Sequence, residues 1–185
     1  MTRYVALLRG INVGGKNLIP MPGLKAAFEA DGFSDVRTYI QSGNVLFSAP
    51  TARNADLVRR IERMLGKAFD HYPASVVLRS QAQMRKVVDD APKGFGSQPE
   101  KYRYDSIFLK APLTSKMAIK EVELKEGVDQ CWAGPGVLYH SRLISKVTSS
   151  RINRIVGRPI YQQMTIRNWN TTTKLLHLME TPGKS

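Results

Sequence analysis

The loop at residues 10–17 is the first stretch whose residue types could do chemistry. Its sequence, Gly-Ile-Asn-Val-Gly-Gly-Lys-Asn, nearly matches the phosphate-binding pattern G-x-x-x-x-G-K-[ST], in which backbone N–H groups wrap phosphates and the lysine supplies charge. A nucleoside triphosphatase is not expected, because Asn17 replaces the hydroxyl residue that holds Mg²⁺ and because Pro20 and Pro22 interrupt the helix that should follow. Two interpretations remain open: an anion-binding nest of N–H groups with Lys16, or a glycine-rich turn whose asparagines bond their own backbone.

A second polar stretch lies at residues 39–44, with the sequence Tyr-Ile-Gln-Ser-Gly-Asn. Gly43 and Asn44 tolerate a positive φ, so a tight hairpin explains both. Gln41 and Ser42 could line a site near the first loop if the first two strands lie close together. Turn formation alone is the alternative, since turns recruit these residue types.

The third stretch, residues 165–174, places two asparagines and three threonines at a predicted helix start. A helix N-terminus binds anions through its free N–H groups, and Arg167 adds the capacity for bidentate hydrogen bonds. Capping needs only one or two of these residues. The other polar residues and Trp169 are not needed for capping, so a structural role explains this stretch less well than the other two.

No catalytic or metal-binding constellation is visible in the sequence. The three histidines, His71, His140 and His177, lack metal-ligand spacing, so neither a metal nor another cofactor is expected. Cys131 is interpreted as a small buried apolar residue, because a nucleophilic cysteine would need a histidine base nearby in space. None of the three polar stretches contains His, Asp, Glu or Cys, so a general base for an enzyme is missing.

Net charge indicates the class of partner. The 185 residues include 28 Lys and Arg against 15 Asp and Glu, a net charge of +13. No acidic residue precedes Glu29 and only Glu180 follows Asp129, so both ends of the chain are basic. This balance favours nucleic acid, a phosphorylated small molecule or an acidic protein as partner, with a merely solubilising surface charge as the alternative.

Composition also bears on location. The hydrophobic fraction of 42% is typical of a globular protein, and the single cysteine fits a reducing compartment. No apolar run approaches the roughly 20 residues of a membrane span. We therefore expect a cytoplasmic protein with no membrane partner. Nothing in the sequence sets an oligomeric state.

The order of the predicted elements indicates the fold class. Patterning and turn residues predict β-α-β-β-α-β over the first half, which is the split ferredoxin-like order. A second series follows, β-α-β-β-α with a further strand near residues 163–166. We predict an α+β protein of two ferredoxin-like halves, residues 1–95 and 96–185, related by a structural duplication; one continuous mixed sheet is the alternative.

Three local expectations accompany this fold. A linker is predicted at residues 93–101, because it is rich in glycine and proline. A strand is predicted at residues 122–128. A helix is predicted from Ser149 or Ser150 to Gly157, with its apolar side chains, Ile152, Ile155 and Val156, facing inward.

Taken together, the runs LRGINVGGKN (residues 8–17), YIQSGNV (39–45) and MTIRNWNT (164–171) resemble the bacterial domain of unknown function 1697 family. The resemblance extends from about Thr2 to about Leu178, and three ordered, unusual motifs make it specific. It implies a bacterial cytoplasmic protein. It supplies no catalytic residues, because the family is named for lacking an assigned function.

These observations predict an anion-binding protein whose ligand carries phosphate, with nucleic acid as the leading example. Ferredoxin-like RNA-binding modules stack bases on aromatic residues of their strands, and residues 2–9 and 45–47 do not show that aromatic signature, which argues against RNA. The alternatives are an enzyme acting on a small phosphorylated or carboxylated metabolite, and a protein-interaction module. The predicted ligand-binding residues are Arg9, Asn12, Gly14, Gly15, Lys16, Asn17, Gln41, Ser42, Asn44, Arg167, Asn168, Asn170, Thr171 and Lys174.

Overall fold

The structure is a computed structural model, and it describes residues 1–12, 18–69 and 72–181. The chain forms two compact units. The first unit contains Met1–Met84 and Leu175–Ser185, and the second contains Arg85–Lys174. The predicted boundary between residues 95 and 96 stays a prediction. Among the described residues, no helix combines the length and apolar character needed to cross a membrane.

The first unit follows the predicted element order. It is built from β1 (Thr2–Leu8), α1 (Met21–Ala30), β2 (Ser34–Tyr39), β3 (Asn44–Ala49), α2 (Asn54–Ala68), β4 (Val76–Ser80) and the start of α3 (Gln81–Asp89). Its strands pair antiparallel in the order β2-β3-β1-β4, which is the ferredoxin-like order.

Both helices of the first unit pack on one face of its sheet. The 3.6-residue period of α2 places Leu57, Ile61 and Leu65 on one buried stripe. Alternation along the strands turns every second side chain toward these helices. The resulting core is apolar and includes Tyr4, Ala6, Leu8, Leu24, Phe28, Val45, Phe47, Ile61 and Leu65.

The end of the last helix belongs to the first unit as well. Arg3 Nη1 donates to the carbonyl of Met179 at 2.7 Å, and Arg37 Nη2 donates to the carbonyl of Leu178 at 2.6 Å. The last carbonyls of a helix have no partner within it, so these arginines satisfy them and complement the negative end of the helix.

The second unit repeats the strand order of the first. After α3 it contains β5 (Tyr102–Leu109), α4 (Ser115–Glu121), β6 (Asp129–Gly134), β7 (Val137–Leu143), three 3₁₀-helices (Ile144–Ser149, Ile152–Gly157, Pro159–Gln163), β8 (Met164–Asn168) and the start of α5 (Trp169–Glu180). Its antiparallel order is β6-β7-β5-β8. The predicted α+β class is confirmed, and the common order fits the proposed duplication.

Two local predictions for the second unit are wrong. No strand forms at residues 122–128, because Gly127 adopts a φ of +69° in a turn that precedes β6. In place of the helix predicted up to Gly157 there are short 3₁₀-helices, which suits a segment rich in β-branched residues and asparagine. Ile152 and Ile155 are buried as predicted, but Val156 is 51% exposed.

Candidate functional site

The loop after β1 is held by the side chain of Asn12. Asn12 Nδ2 donates to the carbonyls of Ile19 and Gln41, both at 3.0 Å, and Asn12 Oδ1 accepts from the N–H of Ile19 at 2.8 Å. Asn12 therefore joins the first polar stretch to the second within the first unit. This use of the side chain matches the alternative in which the loop asparagines bond the backbone.

The turn at residues 39–44 is built in the same way. Asn44 is fully buried, and its Nδ2 donates to the carbonyl of Tyr39 at 2.9 Å and to Ser42 Oγ at 3.1 Å. Gly43 has a φ of +77°, and a Cβ at this position would lie 2.6 Å from Ile11 Cδ1. The first two polar stretches therefore pack tightly against each other, although β3 lies between β1 and β2 in the sheet.

The remaining predicted residues of the first unit are placed only in part. The N–H of Arg9 donates to the carbonyl of Ser75 at 2.9 Å, and its carbonyl accepts from the hydroxyl of Tyr72 at 2.6 Å. Gly14, Gly15, Lys16 and Asn17 lie outside the described residues. Their role in binding an anion stays a prediction.

The third polar stretch belongs to the second unit, where part of it caps α5. Asn168 Oδ1 accepts from the N–H of Thr171 at 2.7 Å, so Asn168 is the N-cap. Arg167 is buried, with Nη1 donating to the carbonyl of Ile166 at 2.8 Å. Asn170 and Lys174 are exposed. Whether the ten described residues from the two units form one site stays a prediction.

Asn168, Trp169 and Asn170 line a cavity of the second unit. This cavity has a volume of about 470 Å³, and Tyr102 and Tyr104 of β5 line it as well. The same two tyrosines also line an adjoining cavity of about 150 Å³. We refer to the two cavities together as the aromatic groove, whose aromatic walls are Phe95, Tyr102, Tyr104, Trp132 and Trp169.

Phe95 is the centre of this aromatic cluster. Its ring centroid lies 4.9 Å from that of Tyr104 and 5.0 Å from that of Trp169, in edge-on arrangements that suit the charge distribution of aromatic rings. Tyr139 packs on Phe95 from inside the unit and donates its hydroxyl to the carbonyl of Val87 at 2.6 Å. Burial raises the pKa of Tyr139. The rings of the groove are therefore held in fixed positions while remaining half-buried.

This cluster gives the predicted linker a structural role. Residues 93–101 belong to the second unit, and Gly96 (φ +84°) passes so close to Trp169 that a Cβ at this position would displace the indole ring. The glycines and prolines of this segment lie in turns that place Phe95 against one face of the sheet.

Cations lie along the aromatic groove. Lys93 lines the smaller cavity, and Lys101 Nζ lies 5.3 Å from the centroid of the Tyr102 ring. Both lysines are exposed. Arg103 lines the larger cavity, although its Nε also lies 3.5 Å from Asp105 Oδ2. The groove thus combines flat apolar surfaces, side-chain amides and positive charge.

Metal binding and thiol chemistry have little support in the described residues. Within the described part of the chain, no group of three or more His, Cys, Asp or Glu side chains could hold a metal ion. Burial raises the pKa of the Cys131 thiol to about 12, so the thiol stays protonated at neutral pH. Cys131 is only partly buried, packed against the apolar core of the second unit, so the predicted burial is incomplete, although a protonated thiol is a poor nucleophile.

The sequence of this chain matches a known protein family. A family model described as "Protein of unknown function (DUF1697)" matches residues 1–139. The chain belongs to this family. The first two polar stretches lie inside the matched residues, whereas the third, at 165–174, lies beyond them.

One solved structure extends the likeness to almost the whole chain. The conserved bacterial protein SP0830 from Streptococcus pneumoniae is similar with a TM-score of 0.85 and 26% sequence identity, over 98% of this chain and 99% of that one. No similar sequence is found among curated proteins. The family and fold are therefore shown, and the site has to be argued from its own chemistry.

Sequence reasoning missed most of the aromatic groove. It named Asn168 and Asn170 but neither Tyr102 nor Tyr104. The signal was present only in part, because the strand predicted in this region begins at Tyr104. In the structure β5 begins at Tyr102, so the two tyrosines, two residues apart, point to the same face of the sheet.

Proposed function

We propose that the aromatic groove of the second unit binds single-stranded nucleic acid, with bases stacked on its rings. The observation that carries this proposal is the position of Tyr102 and Tyr104, both half-buried and both lining the two adjoining cavities. Single-strand binding proteins combine such stacking surfaces with a positively charged groove that follows the phosphates.

The fold supports the same proposal. In ferredoxin-like RNA-binding modules, aromatic residues on the sheet stack two or three bases. Tyr102 and Tyr104 lie on β5, a central strand of the second sheet. The argument against RNA concerned the first half of the chain, where the strand aromatics Tyr4 and Phe47 are buried in the core, whereas Tyr102 and Tyr104 of the second sheet are half-buried.

Polar and charged groups complete the recognition. The amides of Asn168 and Asn170 at the end of the groove offer hydrogen bonds to base edges. Lys93 and Lys101 are placed to neutralise phosphates, and the net charge of +13 favours the approach of a polyanion.

The test is fluorescence anisotropy with a labelled oligouridylate of about 12 nucleotides, a length within the range of known single-strand sites. Affinity should fall steeply between about 50 and 200 mM salt, because binding releases counterions. Tyr102→Ala should weaken binding by about 5- to 150-fold, the equivalent of about 1–3 kcal/mol for one stacked base. Tyr39→Ala, which removes a half-buried tyrosine at the end of β2, is the matched control and should not change affinity.

The lysines provide a second readout. Lys93→Ala and Lys101→Ala should each reduce the slope of log affinity against log salt by about 0.7, while Lys120→Ala on α4 should leave it unchanged. Absence of binding at low salt would contradict the proposal. So would binding that Tyr102→Ala leaves intact. Binding of a protein partner to the exposed Ile144 and Val147 of the groove, with an affinity that does not depend on salt, would instead favour a protein-interaction module.

A further inference from the structure

The helix-facing side of the second sheet carries charged and polar side chains at one end. Asp105 on β5, and His140 and Arg142 on β7, keep only 5%, 0% and 9% of their surface exposed. Asp105 and His140 are direct cross-strand partners, and Arg142 Nη2 lies 3.5 Å from Asp105 Oδ2. Because successive strand residues point to opposite faces, these side chains lie on the face opposite Tyr104 and the aromatic groove.

Asp129 orients the imidazole of His140. One oxygen of its carboxylate accepts from the hydroxyl of Ser150 at 2.5 Å and faces His140 Nε2 at 3.3 Å. The other accepts from the N–H groups of Lys125 and Arg151, both at 2.9 Å. This carboxylate is therefore satisfied on both oxygens, and it fixes the ring of His140 from one side.

The protonation states follow from these contacts. Burial would raise the pKa of Asp129, but the hydrogen bonds from Ser150, Arg151 and Lys125 outweigh it and lower the pKa, so the carboxylate is ionised. Burial lowers the pKa of His140, and the charges of Asp105 and Asp129 offset this only in part. A carboxylate only accepts hydrogen bonds, so we assign the single proton of the neutral imidazole to Nε2, which leaves Nδ1 as an acceptor.

Three buried polar atoms at this end of the sheet have no hydrogen-bond partner among the described residues: His140 Nδ1, Asp105 Oδ1 and Arg142 Nε. Their residues line a single cavity of about 160 Å³, which we call the polar cavity. Buried polar groups are almost always paired with protein groups, ordered water or a ligand, so three such atoms around one space mark a place where a small molecule can be held by hydrogen bonds.

The remaining walls set the shape of that ligand. The cavity opens at Asn153 and Val156, which are both exposed. Arg103 also lines the cavity, where its Nε lies 3.5 Å from Asp105 Oδ2. The remaining walls are aliphatic and consist of Ile107, Ile152, Ile155 and Ile166. Sites for small molecules typically combine such apolar walls with a few convergent polar groups.

We propose that the polar cavity binds a small uncharged molecule with a branched aliphatic body and a primary carboxamide head. The two acceptors, His140 Nδ1 and Asp105 Oδ1, require two hydrogens, and the Arg142 Nε–H requires one acceptor. A primary amide offers both hydrogens on its nitrogen and the acceptor on its carbonyl.

Other heads of similar size fit less well. A carboxylate brings no hydrogen and is repelled by Asp105, and an ammonium brings no acceptor for Arg142. A single water satisfies the same three atoms, but its share of volume is about 30 Å³, so it leaves the aliphatic part of the cavity empty.

The test uses three probes of nearly equal shape on the full chain: 3-methylbutanamide, 3-methylbutanoate and 3-methylbutylamine. In NMR titrations the amide should bind at least about tenfold tighter than either charged probe, because a site built for hydrogen bonds rejects a mismatched head. At ten times its Kd the amide should raise Tm by about 3–6 °C.

Two variants check the location. Val156→Phe, at the exposed rim, should abolish amide binding without touching the buried groups, whereas Met117→Phe at an exposed position of α4 should not. Asp105→Asn removes the repulsive charge and should let the carboxylate bind. No binding by any probe, meaning a cavity that holds water only, would overturn the proposal, and so would full amide affinity in Val156→Phe.

Discussion

In the first unit Asn12 and Asn44 donate to backbone carbonyls, and Arg37 Nε is buried with no partner among the described residues. In the second unit three such atoms, on Asp105, His140 and Arg142, belong to residues that line one cavity. The two sheets have the same strand order, so this clustering does not come from topology. It comes from the residues at the equivalent positions, because on β1 the helix-facing residues Tyr4, Ala6 and Leu8 belong to the apolar core.

The other faces of the two sheets differ as well. In the first unit Val5, Leu7 and Leu46 are buried on the face away from α1 and α2. In the second unit the corresponding face carries the half-exposed tyrosines of the aromatic groove. A fold specifies no function by itself. We therefore place the candidate sites where buried polar atoms lack hydrogen-bond partners and where aromatic rings stay partly exposed.

The largest expected effect tests the tight packing of the first unit. Gly43→Ala should destabilise the protein by about 2–5 kcal/mol, because it adds the cost of a positive φ to a clash with Ile11 and Leu8. Gly66→Ala, in α2 with nothing within 4 Å, should instead stabilise by about 0.5–1 kcal/mol. Urea unfolding measures both changes. Gly10→Ala is the control, because only the positive φ acts there. If Gly43→Ala costs less than Gly10→Ala, the loop is not packed as described.

A smaller effect separates structure from binding in the loop after β1. Asn12→Ala removes three hydrogen bonds and should cost about 1–3 kcal/mol in the free energy of unfolding, while affinity for the oligouridylate stays that of wild type. Gln41→Ala is the control, because only the backbone carbonyl of Gln41 takes part. Unchanged stability with an affinity loss of tenfold or more would make Asn12 a ligand-binding residue after all.

The same type of substitution in the second unit should act mainly on the groove. Gly96→Ala should cost about 1–2 kcal/mol for its positive φ, because the half-buried Trp169 can move away from the added methyl group. Tryptophan fluorescence should change and oligouridylate affinity should fall. Gly94→Ala has the same sign of φ and no close contact, so it should cost as much stability and leave affinity intact.

The smallest effect is on pH dependence and concerns His140, which faces Asp105, Asp129 and Arg142. Burial lowers its pKa from 6.5 in the folded state, so the unfolded chain takes up a proton that the folded chain does not. Stability is therefore full above pH 6.5 and should fall on acidification by at most about 1.4 kcal/mol per pH unit. In His140→Gln the free energy of unfolding, measured with urea, should depend less on pH between about pH 5 and 6.5. His177→Gln on α5 serves as the control. An acid limb identical in His140→Gln and wild type would contradict the buried neutral imidazole.

Much of the fold was predictable because its signals are local. The stripe of α2, the Ser80 and Thr114 caps and the hairpin at Gly43 depend on neighbours in sequence. The helix predicted before Gly157 failed because apolar spacing alone does not separate an α-helix from successive 3₁₀-turns in a segment of low helix propensity.

The candidate sites were less predictable for a physical reason. Unusual glycine and asparagine motifs draw attention, yet such residues are also what a loop needs to satisfy its own backbone, as Asn12 shows. Asp105 lies far from His140 and Arg142 in sequence and meets them only through the register of β5 and β7. No local pattern contains that register.

The most direct test of the account is a titration of the isotope-labelled chain with oligouridylate at low salt, followed by amide and indole chemical shifts. The account predicts that the largest shifts occur at Gly96, Tyr102, Tyr104 and the Trp169 indole, with little change around Asn12 and Asn44. Shifts concentrated at Asn12, Gln41 and Asn44, or none at any position, would contradict it.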